Sequence, residues 1–78
     1  MFFRQLQYLV ALAQEEHFGR AAERCNVSQP SLSSAIKQFE LTLGVPIVKR
    51  GRRFLGLTKE GHRVIEWAER VISQRDAM

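Results

Sequence analysis

The sequence predicts a mainly α-helical domain with a small β-hairpin, in the form of a winged helix-turn-helix followed by a long C-terminal helix. Three observations lead to this fold class. Apolar residues recur at helical spacing in four separate stretches. Capping and stop signals bracket the third stretch, and two short strand-like runs follow it with a glycine between them. The length of 78 residues allows one small domain, so these elements are expected to share a single core.

The first two helices are predicted over about residues 3–15 and 20–25. The first has one apolar face, formed by Leu6, Leu9, Val10 and Ala13. The second has a face of small apolar side chains, at Ala21, Ala22 and Cys25. Gly19 stands at the position expected for the N-cap of the second helix. Asn26 tolerates a left-handed conformation, so the second helix is expected to end there.

The third helix, over residues 29–43, has the clearest boundaries. Ser28 is a good N-cap, and Pro30 lies in the first turn, where its missing N–H costs nothing. Gly44 favours a C-terminal stop, and Pro46 prevents continuation. A continuous apolar stripe runs along the helix at Leu32, Ile36, Phe39 and Leu43. The third helix is therefore expected to bury this stripe and to leave its opposite face in solvent.

A hairpin and a final helix complete the chain. Residues 47–50 and 54–57 are strand candidates, and Gly51-Arg52-Arg53 between them has the length and composition of a basic hairpin tip. Thr58 is a candidate N-cap for a last helix that begins directly after it. The apolar stripe of that helix consists of Val64, Trp67, Ala68, Val71 and Ile72.

The net charge of +4 is concentrated in the second half of the chain. Residues 1–40 contain equal numbers of acidic and basic side chains, so the whole excess lies in residues 41–78. A block without an intervening acid comprises Lys49, Arg50, Arg52 and Arg53. Two interpretations remain open for it: a polyanionic partner such as nucleic acid, or a solvated turn that keeps the protein soluble.

The second helix and the first part of the third have the spacing of a helix-turn-helix, which is predicted at about residues 18–37. Such a third helix must keep its outer face small and polar to enter a DNA major groove about 12 Å wide. The side-chain amide of Gln29 is suited to form paired hydrogen bonds with an adenine edge, and the ammonium group of Lys37 is suited to bind a guanine edge or a phosphate. Taken singly, such side chains can equally well face water. Together with the turn spacing and the basic hairpin, they favour double-stranded DNA as the partner.

The predicted DNA contacts therefore lie on the third helix and on the hairpin, or wing, at about residues 47–57. On the helix they are Gln29, Pro30, Ser31, Ser33, Ser34 and Lys37, and on the wing they are Arg50, Arg52 and Arg53. The arginines at the wing tip are expected at the minor groove or the backbone, because narrow A·T tracts attract arginine. For Arg50 two roles remain open: binding a phosphate, or bracing the fold through an acid such as Glu40.

Two rival functions have weaker support. The candidates for catalysis or metal binding are His17, Cys25 and His62, and their spacing matches no ligand pattern, so neither enzyme activity nor a metal or cofactor is expected. A winged helix that docks a protein partner is the second alternative, and the basic wing argues against it. The opening residues lack the basic start and long apolar stretch expected of a signal peptide, and no apolar run reaches about 20 residues. Together with a single cysteine, this favours a cytoplasmic location.

The sequence resembles the N-terminal domain of LysR-type transcriptional regulators over essentially the whole chain. The resemblance lies in Leu6, Phe18, Ala21-Ala22, Val27-Ser28-Gln29-Pro30-Ser31-Leu32-Ser33, Ile36, Glu40, Leu43-Gly44, Arg50, Arg53, Leu57-Thr58 and Glu60-Gly61. It implies a bacterial regulator that acts at promoters. It also implies a recognition helix that begins at Ser28-Gln29-Pro30, and interrupted dyad operators.

The resemblance further implies a division into residues 1–58, the winged helix-turn-helix, and residues 59–78, the start of a linker helix that pairs with a second copy. The predicted dimer contacts are Trp67, Ala68, Val71 and Ile72. An effector domain normally follows, so a small-molecule effector is expected only for the full-length protein. Gly19 departs from the family pattern, which usually has Ser or Thr there to cap the helix and touch a phosphate.

Overall fold

The computed structural model describes residues 2–49, 51 and 53–76. These residues contain four helices in the predicted order, with the wing between the last two. The bounds are α1 Phe2–Glu15, α2 Phe18–Arg24, α3 Gln29–Leu43 and α4 Lys59–Asp76. None of these helices combines the length and the apolar character required to cross a membrane.

The core is built around α1, which packs against each of the other three helices. Of the apolar face predicted for this helix, Leu6, Leu9 and Val10 are buried and Ala13 is partly buried, and Leu12 is fully buried beside them. One polar bond adds to this packing: Gln5 Nε2 donates to the carbonyl of Ala35 across the α1–α3 contact at 3.4 Å. The helix α2 also packs against α3. The orientation of α3 is therefore fixed from two sides.

The start of α2 differs from the prediction. The N-cap is His17 rather than Gly19, and its Nδ1 accepts a hydrogen bond from the backbone N–H of Arg20 at 3.0 Å. The helix consequently begins two residues earlier than expected, at Phe18. Its end is as predicted: Asn26 has a φ of 62°, which is the left-handed conformation that asparagine tolerates.

The predicted bounds of α3 are confirmed. Ser28 caps it by accepting from the N–H of Ser31 at 3.2 Å, and Gly44 ends it in the left-handed conformation at φ 78°. The expected buried stripe is wrong at one position. Leu43 is 39% exposed, and Glu40 is buried in its place with only 8% of its surface accessible.

The wing is shorter in regular structure than the two predicted strands. Within the described residues it consists of one antiparallel bridge between Val48 and Leu57. Two backbone bonds support it, from Lys49 N–H to the carbonyl of Gly56 and from Thr58 N–H to the carbonyl of Ile47, each at 2.9 Å. The predicted strand residue Arg50 and the tip residue Arg52 lie outside the described residues.

The helix α4 begins as predicted, because Thr58 Oγ1 accepts from the N–H of Gly61 at 2.9 Å. Gly61 is buried directly against the wing: a Cβ at this position would lie 2.2 Å from the carbonyl oxygen of Ile47. The inward face of α4 is formed by Ile65 and Ala68, both buried. The predicted stripe missed Ile65, although its spacing to Ala68 is helical.

Candidate nucleic-acid interface

The outer face of α3 carries the side chains predicted to contact DNA. Gln29, Pro30, Ser31, Ser34 and Lys37 are exposed, and Ser33 is half-buried. The opposite face is anchored by Leu32, Ile36 and Phe39, which are almost completely buried. This arrangement leaves a helix surface of short polar side chains with a cation further along, which fits the size of a major groove.

The first turn of α3 is held by a pair of hydroxyl groups. Ser28 Oγ accepts from the backbone N–H of Ser31 and donates to Ser31 Oγ at 2.9 Å. Ser31 is therefore used in part to fix the end of the helix. Ser31 and the neighbouring Gln29 nevertheless remain exposed at this end of the helix.

Leu41, for which the sequence offered no role, is 78% exposed on α3. It lines a shallow apolar groove together with Val45 and Pro46 at the end of this helix. Lys37 lies at the same groove, so the outer face of α3 changes from polar to apolar toward its C-terminus.

Two ion pairs and a hydrogen bond to a backbone carbonyl join α2 to the end of α1. Arg24 Nη1 lies 3.4 Å from a carboxylate oxygen of Glu15, and Arg20 Nε lies 3.6 Å from the other. Arg20 also donates to the carbonyl of Glu15 at 3.1 Å. These exposed pairs contribute little to stability individually. Their importance is geometric, since both arginines join α2 to the end of α1.

The wing is fixed against α2 by an aromatic contact. The rings of Phe18 and Phe54 meet edge to face, with their centroids 6.4 Å apart at 70°. This contact places Arg53, which is exposed, beside the start of α3. Arg53 and Gln29 line one open concavity of about 630 Å³, together with His17 and Gly19. The structure thus brings the wing and the predicted recognition helix to the same side of the molecule.

Two residues in this concavity were missed by the sequence analysis as parts of the site. His17 was considered only for metal binding or catalysis, and Gly19 was assigned the cap that His17 makes. Histidine is an uncommon N-cap, so no strong sequence signal marked it. The short connection between α1 and α2 places the imidazole ring of His17 at the start of α2. This placement is visible only in the three-dimensional structure.

The residues predicted to form a dimer contact do not share one surface. Ala68 is completely buried inside the chain, so its assignment to a dimer surface is corrected. Trp67 is 40% exposed, and Val71 and Ile72 are half-buried against the core. The apolar stripe of α4 is thus divided between the core of this chain and an outer surface at Trp67, Val71 and Ile72.

Cys25 is half-buried and lines a cavity between α1, the helix-turn-helix turn and α4. Burial raises the pKa of its thiol, and the nearby Arg24 charge opposes this only in part. A raised pKa lowers the thiolate fraction at a given pH, so the surroundings of Cys25 do not activate its thiol. Among the described residues, no three His, Cys, Asp or Glu side chains are grouped so as to hold a metal ion.

With its three-helix core, its exposed α3 face and a hairpin packed on α2, the fold is a winged helix-turn-helix. A family profile described as "Bacterial regulatory helix-turn-helix protein, lysR family" matches residues 3–62. The chain therefore belongs to the lysR family of bacterial regulatory helix-turn-helix proteins.

The curated relatives are transcriptional regulators. The HTH-type transcriptional regulator AlsR of Bacillus subtilis is 52% identical over 61 residues, which cover 78% of this chain and 20% of that protein. The DNA-binding transcriptional dual regulator OxyR of Escherichia coli K12 is 43% identical over 74 residues, covering 95% and 24%. The chain thus spans about a fifth to a quarter of the length of these relatives.

Solved structures of the same fold include complexes with DNA. The BenM DNA-binding domain bound to benA site 1 DNA matches all of this chain and 88% of its own, with a TM-score of 0.92 and 37% identity. The CbnR DNA-binding domain bound to DNA has a TM-score of 0.91 at 36% identity, covering 99% and 88%. Full-length OxyR from Pseudomonas aeruginosa has a TM-score of 0.92 at 47% identity, covering 96% of this chain and 26% of that one.

Proposed function

We propose that this chain binds double-stranded DNA in a sequence-specific manner, as the DNA-binding domain of a bacterial transcriptional regulator, with α3 in the major groove. The single observation that carries this proposal is the outer face of α3, where Gln29, Ser34 and Lys37 are exposed on a helix anchored by a buried stripe. The DNA complexes of the BenM and CbnR domains, which share the fold, support it. Gln29 and Lys37 then contact base edges, while Pro30, Ser31 and Ser33 approach the groove wall.

In the same proposal the wing binds next to α3. Arg53 faces the concavity that it shares with Gln29, so its guanidinium reaches the backbone or the minor groove beside the half-site. The predicted contacts of Arg50 and Arg52 belong to this part of the proposal. Lys49, which is exposed, adds to the positive potential of the wing and increases non-specific attraction to phosphates.

The second part of the proposal is that two copies pair through α4. Trp67 is exposed enough to contact a second chain, and Val71 and Ile72 lie near it on the same helix. A twofold dimer matches an operator with two related half-sites. The proposal keeps the division predicted from the sequence, with residues 1–58 reading DNA and residues 59–78 beginning the helix that pairs. Any small-molecule effector acts on the full-length protein.

We also infer that the chain is a binding module rather than an enzyme. Its potential nucleophile, Cys25, has a raised pKa and lies in a different cavity from His17. The curated relatives are regulators, which supports the same inference. A protein that acts on operators shares a compartment with the chromosome, so the proposal places it in the cytoplasm.

Selection from a pool of random duplexes at near-physiological salt tests the proposal. The expected result is an enriched sequence with two related half-sites, whose spacing reports the geometry of the dimer. A parallel selection with a single-stranded pool is the control, and we expect no enrichment there. Binding of duplexes without enrichment would contradict specific recognition, and an absence of binding would favour a protein-docking role instead.

A further inference from the structure

We infer that Gly19 determines sequence preference by controlling the position of the Gln29 side chain. This inference rests on the proposed function, because Gln29 is the residue assigned to read a base. Gly19 lies in the first turn of α2, and Gln29 opens α3. They are ten residues apart in sequence, yet Oε1 of Gln29 lies 3.5 Å from the place where a Cβ of residue 19 would stand.

The same place is bordered by His17. A Cβ at residue 19 would lie 3.0 Å from Cε1 of His17 and 3.3 Å from its Nδ1. The ring is held there because Nδ1 accepts the capping bond from the N–H of Arg20 at 3.0 Å. The absence of a side chain at Gly19 thus leaves a small space between a fixed imidazole and the amide of Gln29.

A larger residue at position 19 changes what Gln29 is able to do. An alanine Cβ would be in ordinary contact with Oε1 of Gln29 at 3.5 Å but only 3.0 Å from Cε1 of His17. Alanine therefore displaces the imidazole slightly and leaves the amide of Gln29 roughly where it is. Serine or threonine places further heavy atoms around that Cβ, and the imidazole on the other side limits where they go. The amide of Gln29 must then leave its present position. Because pairing with an adenine edge needs both ends of the amide, a displaced Gln29 loses discrimination.

Gly19 is accordingly a positioning residue rather than a DNA contact. The cap of α2 belongs to His17. The small space beside Gln29 is formed by His17, Gly19 and Gln29 together.

The test is a double-mutant cycle on the duplex obtained by selection, with each half-site base pair varied singly. We expect Gly19→Thr to reduce discrimination at the base pair read by Gln29 by about fivefold or more, the lower end of a good base contact. In a Gln29→Ala background, Gly19→Thr should change discrimination no further. Gly19→Ala is the matched control and should retain the wild-type preference. Gly19→Ser is the second variant in case the threonine variant does not fold, as judged by its thermal melt.

Two results would overturn the inference. One is wild-type discrimination in the Thr and Ser variants, and the other is an equal loss with and without Gln29. A merely structural role for Gly19 lowers the melting temperature and leaves the base preference of folded protein unchanged. Failure of the proposed function is separate, since it appears as a wild-type protein with no preference among duplexes.

Discussion

The carboxylate of Glu40 and the backbone of Ile47 form a buried hydrogen bond that joins the recognition helix to the wing. Ile47 N–H donates to Oε2 of Glu40 at 2.7 Å, and Val48 N–H donates to the same oxygen at 3.0 Å. These bonds satisfy two amides at the point where the chain enters the wing. One side chain of α3 therefore joins that helix to the start of the wing, while the contact between Phe18 and Phe54 joins the wing to α2.

Replacing Glu40 by Gln should destabilise the domain. The isosteric amide keeps one acceptor oxygen but removes the charge that strengthens both bonds, and hydrogen bonds to charged groups contribute about 1.5–3 kcal/mol. Chemical denaturation measures the change in the free energy of unfolding. Glu66→Gln, at an exposed position of α4, is the control and should leave that free energy nearly unchanged. Equal stability of the two variants would contradict the role assigned to Glu40.

Gly61→Ala should destabilise the domain although alanine is the better helix former. The added Cβ would lie 2.2 Å from the carbonyl oxygen of Ile47, which is backbone and has little freedom to move. Overpacking of this kind costs about 1–3 kcal/mol, which outweighs the gain of about 1 kcal/mol in helix propensity. Thermal unfolding compares the melting temperature of Gly61→Ala with that of Ser73→Ala, a control substitution at an exposed position of the same helix. A melting temperature of Gly61→Ala at or above the wild-type value would contradict the close packing of α4 against the backbone of Ile47.

Arg53→Ala should weaken binding to every duplex by a similar factor. If its guanidinium neutralises one phosphate, the plot of log affinity against log salt becomes shallower by about one unit. Fluorescence anisotropy over a range of salt concentrations provides the slope. Arg70→Ala is the matched control, since Arg70 is exposed on α4, and its slope should stay at the wild-type value. An unchanged slope for Arg53→Ala would remove the wing from the phosphate contacts.

Cys25 should react slowly with iodoacetamide in the folded protein. Burial raises the pKa of its thiol, so at pH 8 a smaller fraction is thiolate than in the unfolded chain, and the thiolate is the species that reacts. The rate should rise when the protein is unfolded in urea, and the difference should shrink as the pH is raised above the thiol pKa. A folded protein that reacts as fast as the unfolded one would instead indicate an activated cysteine.

The elements that the sequence predicted well are those with local signals. The bounds of α3 follow from Ser28, Pro30 and Gly44, whose effects act within one turn of the helix. The start of α2 was misplaced because its cap, His17, lacks such a signal. For these elements the accuracy of the prediction depended on whether capping was chemically obvious.

Burial was harder to predict where tertiary contacts oppose the local pattern. Apolar periodicity assigned Leu43 to the core of α3, but the hydrogen bonds to the wing bury Glu40 instead. The stripe of α4 included Ala68 as a dimer contact, whereas Ala68 is completely buried within the chain, where α4 packs against α1. In both cases the deciding interaction connects residues whose proximity the sequence does not show. The contact between Gly19 and Gln29 belongs to the same class.

The most direct test of the central claim compares Gln29→Ala with the wild-type protein on the selected duplex and on a scrambled duplex of the same composition. If α3 reads bases in the major groove, the variant should lose about 1–3 kcal/mol of binding free energy on the selected duplex and little on the scrambled one. Gln74→Ala, an exposed glutamine of α4, should lose nothing on either. Equal losses on both duplexes, or no loss on the selected one, would contradict sequence reading by α3.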